Sequence, residues 1–592
     1  MDWLPLFAKQ RPSRPRYYEL LPSASPKALL RCRIVTFLIC CALLAFLLFS
    51  TSLGAHMPAK YTSIDQATYE TCTVDESVVS GGYLRPHTGE YVAPHEDEWT
   101  WERVRTMVEE TSGFYVRDWP LQLGWNNMRY IIEAGLLHAS LLNRTLVIPS
   151  FVYARSCLYD FDVCSVFAQK FHRGDEIGMG DFKYLSDAEQ IAWRLPISLM
   201  LDLPRIRRAH SVITVSEYLR LQELNPKLEL GNGSWSATLY HEGPQKPTLR
   251  SLTTSDWDEG FVRVDREYDL PKPKDVGGAI DVALRGQLHE HGTIEIGHAQ
   301  NVMHDQAHAQ WESIAELEQL LHNAGWGVLH TFRGSFVEMF KAVTDWETEV
   351  APLESMRGLV DGLGMEPANV VHVQGETHWN RKAGQLRFTT GEARTQFAGL
   401  VLHGVHPIPA VRALGECFSK RMLDLNNGRQ YLAAHMRRGD FSVLKYAAER
   451  TIQDHTARIK DRLHNGLTSL REWAHSGWRP VDVPGIALDN FGKNAQPPLE
   501  NDAFFLATDT TDVMELEYVH REGAILLADL MQAEDERLLG WPALFGDVRA
   551  QVEQEVAAHA AFFYGHSMSS VAGGIANLRG ARGKDPRTCY VD

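Results

Sequence analysis

The sequence predicts an α/β chain: two Rossmann-like domains facing a cleft, behind an N-terminal transmembrane helix. Three observations lead there. A run of twenty residues without a charge, Ile34 to Leu53, follows a basic leader. A strand, a helix and a second strand succeed one another between Phe114 and Ile148. The same alternation resumes near residue 400 and continues to the last residues.

The length of 592 residues is enough for two domains with full cores. A content of 44% hydrophobic and 23% charged residues is that of a globular protein. The formal net charge of −16 argues against a nucleic-acid partner, which calls for a basic face.

Twenty apolar residues match the hydrocarbon thickness of a bilayer. Lys9, Arg11, Arg14, Arg16, Lys27, Arg31 and Arg33 precede the run against Asp2 and Glu19, and few cations follow it. The positive-inside rule then gives a cytosolic tail (1–33), an anchor (34–54) and a stem (55–111), with the rest of the chain lumenal. A single-pass type II protein of the endoplasmic reticulum or Golgi membrane is expected. A cleaved signal peptide is the alternative, disfavoured by the long basic lead.

That compartment is oxidising, and Cys157 and Cys164 are spaced to close a short loop by a disulfide. Cys72, Cys417 and Cys589 bring the lumenal count to five, so at least one thiol stays unpaired. The sequons Asn143-Arg-Thr and Asn232-Gly-Ser are glycosylation candidates, Asn143 the more buried of the two by its position between a helix and a strand. No CxxC or nearby His pair suggests a metal, and no strand leads into Asp160-Phe-Asp162, so none is expected.

Phe114 to Val116 is the first strand. A helix follows Gly124, with Ile131, Ala134, Leu137, Leu141 and Leu142 near helical spacing. Thr145 to Ile148 is the next strand, stopped by Pro149. Residues 225–300, rich in Gly, Pro, Asp and His, read as insertion loops. A helix over 408–425, a strand over 430–437, helices near 447–475 and a loop over 478–502 come next. Strands over 503–508 and 523–528 alternate with helices from about 512 and near 546–560. The expected domain division is 112–405 and 406–592.

Four segments carry chemistry. In YLAAHMRRGDF (431–441) an apolar strand ends in His435, Arg437 and Arg438. Ligands of parallel sheets bind beyond the carboxyl ends of the strands. His435 and Arg437 share a face there, with Arg438 on the other. An arginine fork suits phosphate oxygens, and an ion pair with Asp440 is the plainer alternative. In LGWNNMR (123–129), Gly124 permits a tight turn and Asn126 and Asn127 open a helix, where free N–H groups seat phosphate; simple capping is the alternative. Arg129 in the first turn opposes the usual acidic preference, which suggests an anion nearby. In FFLATDTTD (504–512), Asp509 ends a strand, where a carboxylate can accept two hydrogen bonds from a guanine edge; capping the next helix is the alternative, which Asp512 serves equally well. In FFYGHSMSSVAGG (562–574), Ser569 and Ser570 open a helix that offers a second phosphate seat or an ordinary Ser cap.

Taken together, GWNNMR with LLNRTLVIP, HMRRGDF, ATD and YGHSMSS resemble the GDP-fucose protein O-fucosyltransferase superfamily. The resemblance covers most of residues 112–592 in layout and leaves roughly 225–400 unaligned. It implies a GT-B-like fold, with GDP-fucose as co-substrate and no other cofactor, in the cleft. Asn126, with Gly124 and Asn127 around it, would lie near the phosphates and fucose, and Arg129 would support that loop. His435 and Arg437 match the family's His-x-Arg, Asp509 would read guanine, and Ser569 with Ser570 would hold the pyrophosphate. The implied reaction is metal-independent, inverting transfer of fucose to a hydroxyl of a protein or glycan acceptor.

Charge that develops on the departing diphosphate asks for a fixed cation, a task for Arg437. Some members carry a glutamate before the Gly of the first motif; here Leu123 stands there, leaving Asp440 and Glu217 as candidate bases. A catalytically inactive membrane-tethered lectin or scaffold, or a transferase using another nucleotide sugar, is the alternative.

Overall fold

The structure, a computed structural model, describes residues 72, 83–84, 91–92, 99–173, 186, 190–253, 265, 273–289, 292–332, 342–356, 358–375, 386–444, 449–477, 479, 481, 491–492 and 495–592. The expected tail, the apolar run Ile34 to Leu53 and most of the stem lie outside the described residues. Among the described residues no single helix is long and apolar enough to cross a membrane.

Two five-stranded sheets, both wholly parallel, organise the chain. The amino sheet runs Val212–Thr214, Thr145–Ile148, Phe114–Arg117, Val370–Val373, Leu249–Leu252 from edge to edge. The carboxyl sheet runs Ala524–Ile525, Phe504–Thr508, Leu432–Met436, Phe562–Gly565, Cys589–Val591. The inner strands TLVI, FYVR, VVHV and LAAHM are buried at every position. Strands covered on both faces read as continuous apolar runs, which is why the sequence shows them without alternation. In each sheet the first strand in the chain is central, and the winding order reverses beside it. Those reversals lie between Phe114–Arg117 and Val370–Val373, and between Leu432–Met436 and Phe562–Gly565.

The stretch 225–300 is not a set of loops. Leu249–Leu252 is an edge strand of the amino sheet, and Ala279–Arg285 and Ile296–Ala307 are helices. With Ile314–Asn323 and an antiparallel sheet of Ile294–Glu295, Trp346–Pro352 and Trp326–Phe332, those helices close a small core of their own around Leu284, Met303, Leu321 and Trp326. The strand expected over 523–528 is only Ala524–Ile525, because Asp529 accepts the Leu526 N–H at 2.7 Å and starts a short helix, Leu527–Leu530.

A single hydrophobic cluster contains Tyr115, Leu146 and Val371 of the amino sheet and Ala433, Phe505 and Phe563 of the carboxyl sheet. Helix residues Ile131, Phe418, Val552 and Ile575 fill the space between them. Cys157 is bonded to Cys164. A second disulfide, Cys72–Cys417, spans 345 residues and pins the start of the described chain to the helix Pro409–Leu425. Among the described cysteines Cys589 is free.

Candidate functional site

The carboxyl-sheet reversal is where a ligand of a parallel sheet is expected, and Arg437 follows the central strand there. Its Nη1 lies 2.9 Å from Asp509 Oδ2. Asp509 Oδ1 accepts the N–H of Arg438 at 2.7 Å and of Gly439 at 3.1 Å. A Cβ on Gly439 would stand 2.5 Å from Asp509 Oδ2, so a larger residue there would displace this carboxylate. The strand-end arginine pairs with Asp509, and the side chain of Asp440, the partner in the plainer reading, lies outside the described residues. Asp509, expected to read a base, also holds two amides of its own chain. The capping role belongs to Asp512, which accepts the N–H of Met514 at 2.8 Å and of Glu515 at 3.1 Å. Arg438, on the other face of the strand end, is buried and paired with Glu515.

His435 is buried, and its imidazole is pushed down to about 3, first by loss of solvent and then by the charge of Arg437. His455 is pushed down to about 4, chiefly by burial. Both rings are therefore neutral near pH 7, and the Nδ1 of each is buried without a hydrogen-bond partner. His566 is shifted downward too, by burial, and its Nδ1 accepts the Met568 N–H at 3.0 Å. Positive charge at the strand end thus comes from Arg437; His435 offers a hydrogen bond, not a charge.

On the amino side, Gly124 is the N-cap of the helix Trp125–Leu141, with no side-chain cap. Asn126 and Asn127 sit in the first turn with amide oxygens buried and unpartnered, so neither acts as the cap. Arg129 does not await an anion: its Nε donates to Glu133 at 2.8 Å and its Nη2 to the Val405 carbonyl at 3.0 Å. The Tyr130 hydroxyl donates to the Ser570 carbonyl at 2.7 Å. A Cβ on Gly574 would meet Gln554 Oε1 at 2.6 Å and Asn126 Oδ1 at 2.9 Å. The start of the helix Trp125–Leu141 therefore packs on the start of Ser570–Ala581, where Ser569 is the N-cap and makes no side-chain cap bond. Two segments far apart in sequence are brought together, Asn126 against Gly574 and Tyr130 against Ser570.

The helix Gly546–His559 lies beneath this junction. Asp547 at its start accepts the Arg155 N–H at 2.6 Å, and the Arg155 guanidinium approaches to 3.3 Å of where a Cβ on Gly124 would sit. Glu555 is buried against Arg582. Glu553 differs: it is half-buried, with no hydrogen bond or ion pair among the described residues. Burial, and then the charge of Asp509, push its carboxyl up to about 8. Sequence reading missed Glu553 and Arg155. The available signal for the former was two glutamates within one turn of an otherwise apolar stretch, VEQEVAAHAAF.

Two further groups sit elsewhere. Glu217 is no free base: it completes a capping box with Thr214 and lies 2.5 Å from Arg207 Nη2. At the amino-sheet reversal, Asp118 accepts the N–H of Trp235 at 2.8 Å and of Gly375 at 2.7 Å and pairs with His372 Nε2 at 3.1 Å, a set that ties three loops together. Asn232 and Asn143 are both exposed, Asn143 in a left-handed turn at φ 51°, so the burial expected for it is not found.

No protein-family model matches the chain. No curated protein matches it either. Among solved structures the chain is similar to a crystal structure of POFUT1 in complex with GDP-fucose, at 11% identity over 81% of this chain and 98% of that one, with a TM-score of 0.32. It is also similar to the NodZ alpha-1,6-fucosyltransferase soaked with GDP-fucose, at 11% identity over 79% and 92%, with a TM-score of 0.26. NodZ from Bradyrhizobium gives 10% identity over the same shares and a TM-score of 0.26.

Proposed function

We propose that this chain is a GT-B-type glycosyltransferase that moves fucose from GDP-fucose to a hydroxyl of a protein or glycan acceptor, working from a type II anchor in the lumen of the secretory pathway. The observation that supports the reading is that Arg437 and neutral His435 end the central strand of the carboxyl sheet while the helix start at Ser569 and Ser570 follows the parallel strand beside it, with the unpartnered Asn126 packed against that helix at Gly574. A guanidinium and a helix N-terminus together make a seat for a diphosphate.

In the mechanism, Arg437 neutralises the diphosphate as the bond to fucose C1 breaks. Its attraction to the leaving group grows towards the transition state, so it speeds the step as well as binding the donor. Asp509 aims the arginine and fixes the turn after it. His435 and Asn126, held neutral and buried, donate or accept hydrogen bonds to the sugar and phosphates without adding charge. With Glu217 tied to Arg207, Asp440 is left as the candidate base, and leaving-group stabilisation supplies most of the drive. The test is turnover of GDP-fucose by the purified protein, with and without acceptor, against GDP-mannose. Absence of both transfer and donor hydrolysis, with GDP still bound, would favour the lectin or scaffold alternative.

A further inference from the structure

The strand Phe562–Gly565 ends in a loop, residues 566–569, that leads into the helix Ser570–Ala581. A Cβ on Gly565 would meet the Ala572 Cβ at 2.7 Å and the Phe563 ring at 3.0 Å, so strand end and helix start are in close contact. Within the loop the Ser569 N–H donates to the His566 carbonyl at 2.9 Å, and the Met568 N–H to His566 Nδ1 at 3.0 Å. The helix start then offers the amides of Ser570 and Val571.

What holds this loop comes from the neighbouring edge strand. Cys589–Val591 pairs in parallel with Phe562–Gly565, Val591 opposite Gly565, and Asp592 carries the ladder one residue further. The Asp592 N–H donates to the Gly565 carbonyl at 3.3 Å, and its main-chain oxygen accepts the Ser567 N–H at 3.0 Å. Its side chain is gripped from three sides. Oδ1 accepts the Tyr564 hydroxyl at 2.8 Å and Arg458 Nη2 at 2.6 Å, and Oδ2 accepts Arg462 Nε at 3.0 Å. Both arginines stand on one face of the helix Ile452–Ser476, four residues apart. Arg458 also binds Glu449 Oε1 at 2.6 Å, and the Glu449 carbonyl accepts Arg438 Nη1 at 3.4 Å. Two guanidiniums on one carboxylate fix its orientation more tightly than a single neutral hydrogen bond can. An unbroken set of bonds thus joins the loop before Ser570 to the arginine-bearing strand end.

We propose that Asp592 is a positioning residue for the donor: without touching substrate, it locks the loop that aims the helix start at Ser569 and Ser570 towards the diphosphate. This rests on the GDP-fucose reading above. A loop already held in its binding geometry spares the ligand the cost of ordering it. Releasing the loop weakens donor binding, while Arg437, on a different strand, still meets the leaving group. The signature is a change in KM, with kcat nearly kept.

The experiment uses the full chain and two variants. Asp592→Asn keeps the size of the side chain and the main-chain bonds, and removes the charge that holds both arginines. Asp281→Asn is the control: it removes the charge facing Arg285 in the separate small core. Turnover of GDP-fucose, calorimetry with GDP, melting temperature and hydrogen exchange over residues 565–571 are measured for each. Asp592→Asn should raise the KM for GDP-fucose and the Kd for GDP about tenfold, alter kcat by less than about threefold, and speed exchange in the loop. Asp281→Asn should lower the melting temperature and leave KM, Kd and loop exchange unchanged. Tyr564→Phe removes one bond to the same carboxylate without stranding a charge, and should raise KM about two- to threefold; it carries the test where Asp592→Asn fails to fold. An unchanged KM in the Asp592 and Tyr564 variants, or an equal rise in the control, overturns the assignment and leaves the donor reading standing. Neither turnover nor GDP binding by the unmodified chain overturns both.

Discussion

Arg437 Nη1 lies 2.9 Å from Asp509 Oδ2, and the same carboxylate holds the two amides that follow the arginine. One side chain thus fixes both the charge and the turn that carries it. A cation already aimed needs no reorganisation when an anion arrives, which is what electrostatic catalysis requires.

Arg437→Lys should fold with a melting temperature within a few degrees of the unmodified protein yet lose roughly 10²–10³ in turnover, since an ammonium lacks the planar fork. Near-normal turnover would make Arg437 structural.

Its neighbour should behave in the opposite way. Arg438→Ala leaves Glu515 without its buried partner, at a cost of about 2–4 kcal/mol in stability. Denaturant midpoints of the two variants, set beside their turnover numbers, separate the two roles.

Gly574→Ala places a methyl 2.6 Å from Gln554 Oε1 and 2.9 Å from Asn126 Oδ1. It should displace Asn126, raise the KM for the donor about tenfold or more, and cost on the order of 1–3 kcal/mol. An unchanged KM with lowered stability would remove Asn126 from the donor site.

Stability should fall on mild acidification. The unfolded chain protonates its histidines near 6.5, whereas folded His435 and His455 remain neutral down to about 3 and about 4. Between those values the unfolded state binds more protons, so stability drops as pH falls, by up to about 1.4 kcal/mol per pH unit for each ring. Glu553 acts with the other sign: neutral when folded below about 8, it costs stability as pH rises from its unfolded value near 4.3. Unfolding midpoints from pH 4.5 to 8 should show a shallower acid slope for His455→Asn, and a gain for Glu553→Gln confined to the neutral and alkaline end.

Legibility followed the range over which the forces act. The inner strands were visible because burial on both faces writes itself into consecutive residues, as in TLVI and LAAHM. Val370–Val373 carries the same signature but lay in the stretch 225–400 that the resemblance left unaligned, where an independent small core breaks the βα rhythm. Arg437, His435, Asn126 and Ser570 were readable from position at strand and helix ends. Their partners were not. Pairing of Arg437 with Asp509, of Arg129 with Glu133 and the Val405 carbonyl, and of Glu217 with Arg207 depends on directions that spacing does not encode. Glu553 was hidden because a half-buried carboxyl and one facing water look alike in sequence.

Among the described residues one hydrophobic cluster runs from Tyr115 through Val552 to Ala433 and joins the two sheets. Moving one sheet against the other would expose apolar surface at about 25 cal/mol for each Å², a steep toll for a motion repeated at every turnover. Among the described residues the strand end is then a preset arrangement, with Arg437 held in place by Asp509 before any ligand arrives. Selectivity in such a frame resembles a fitted lock rather than a closing jaw.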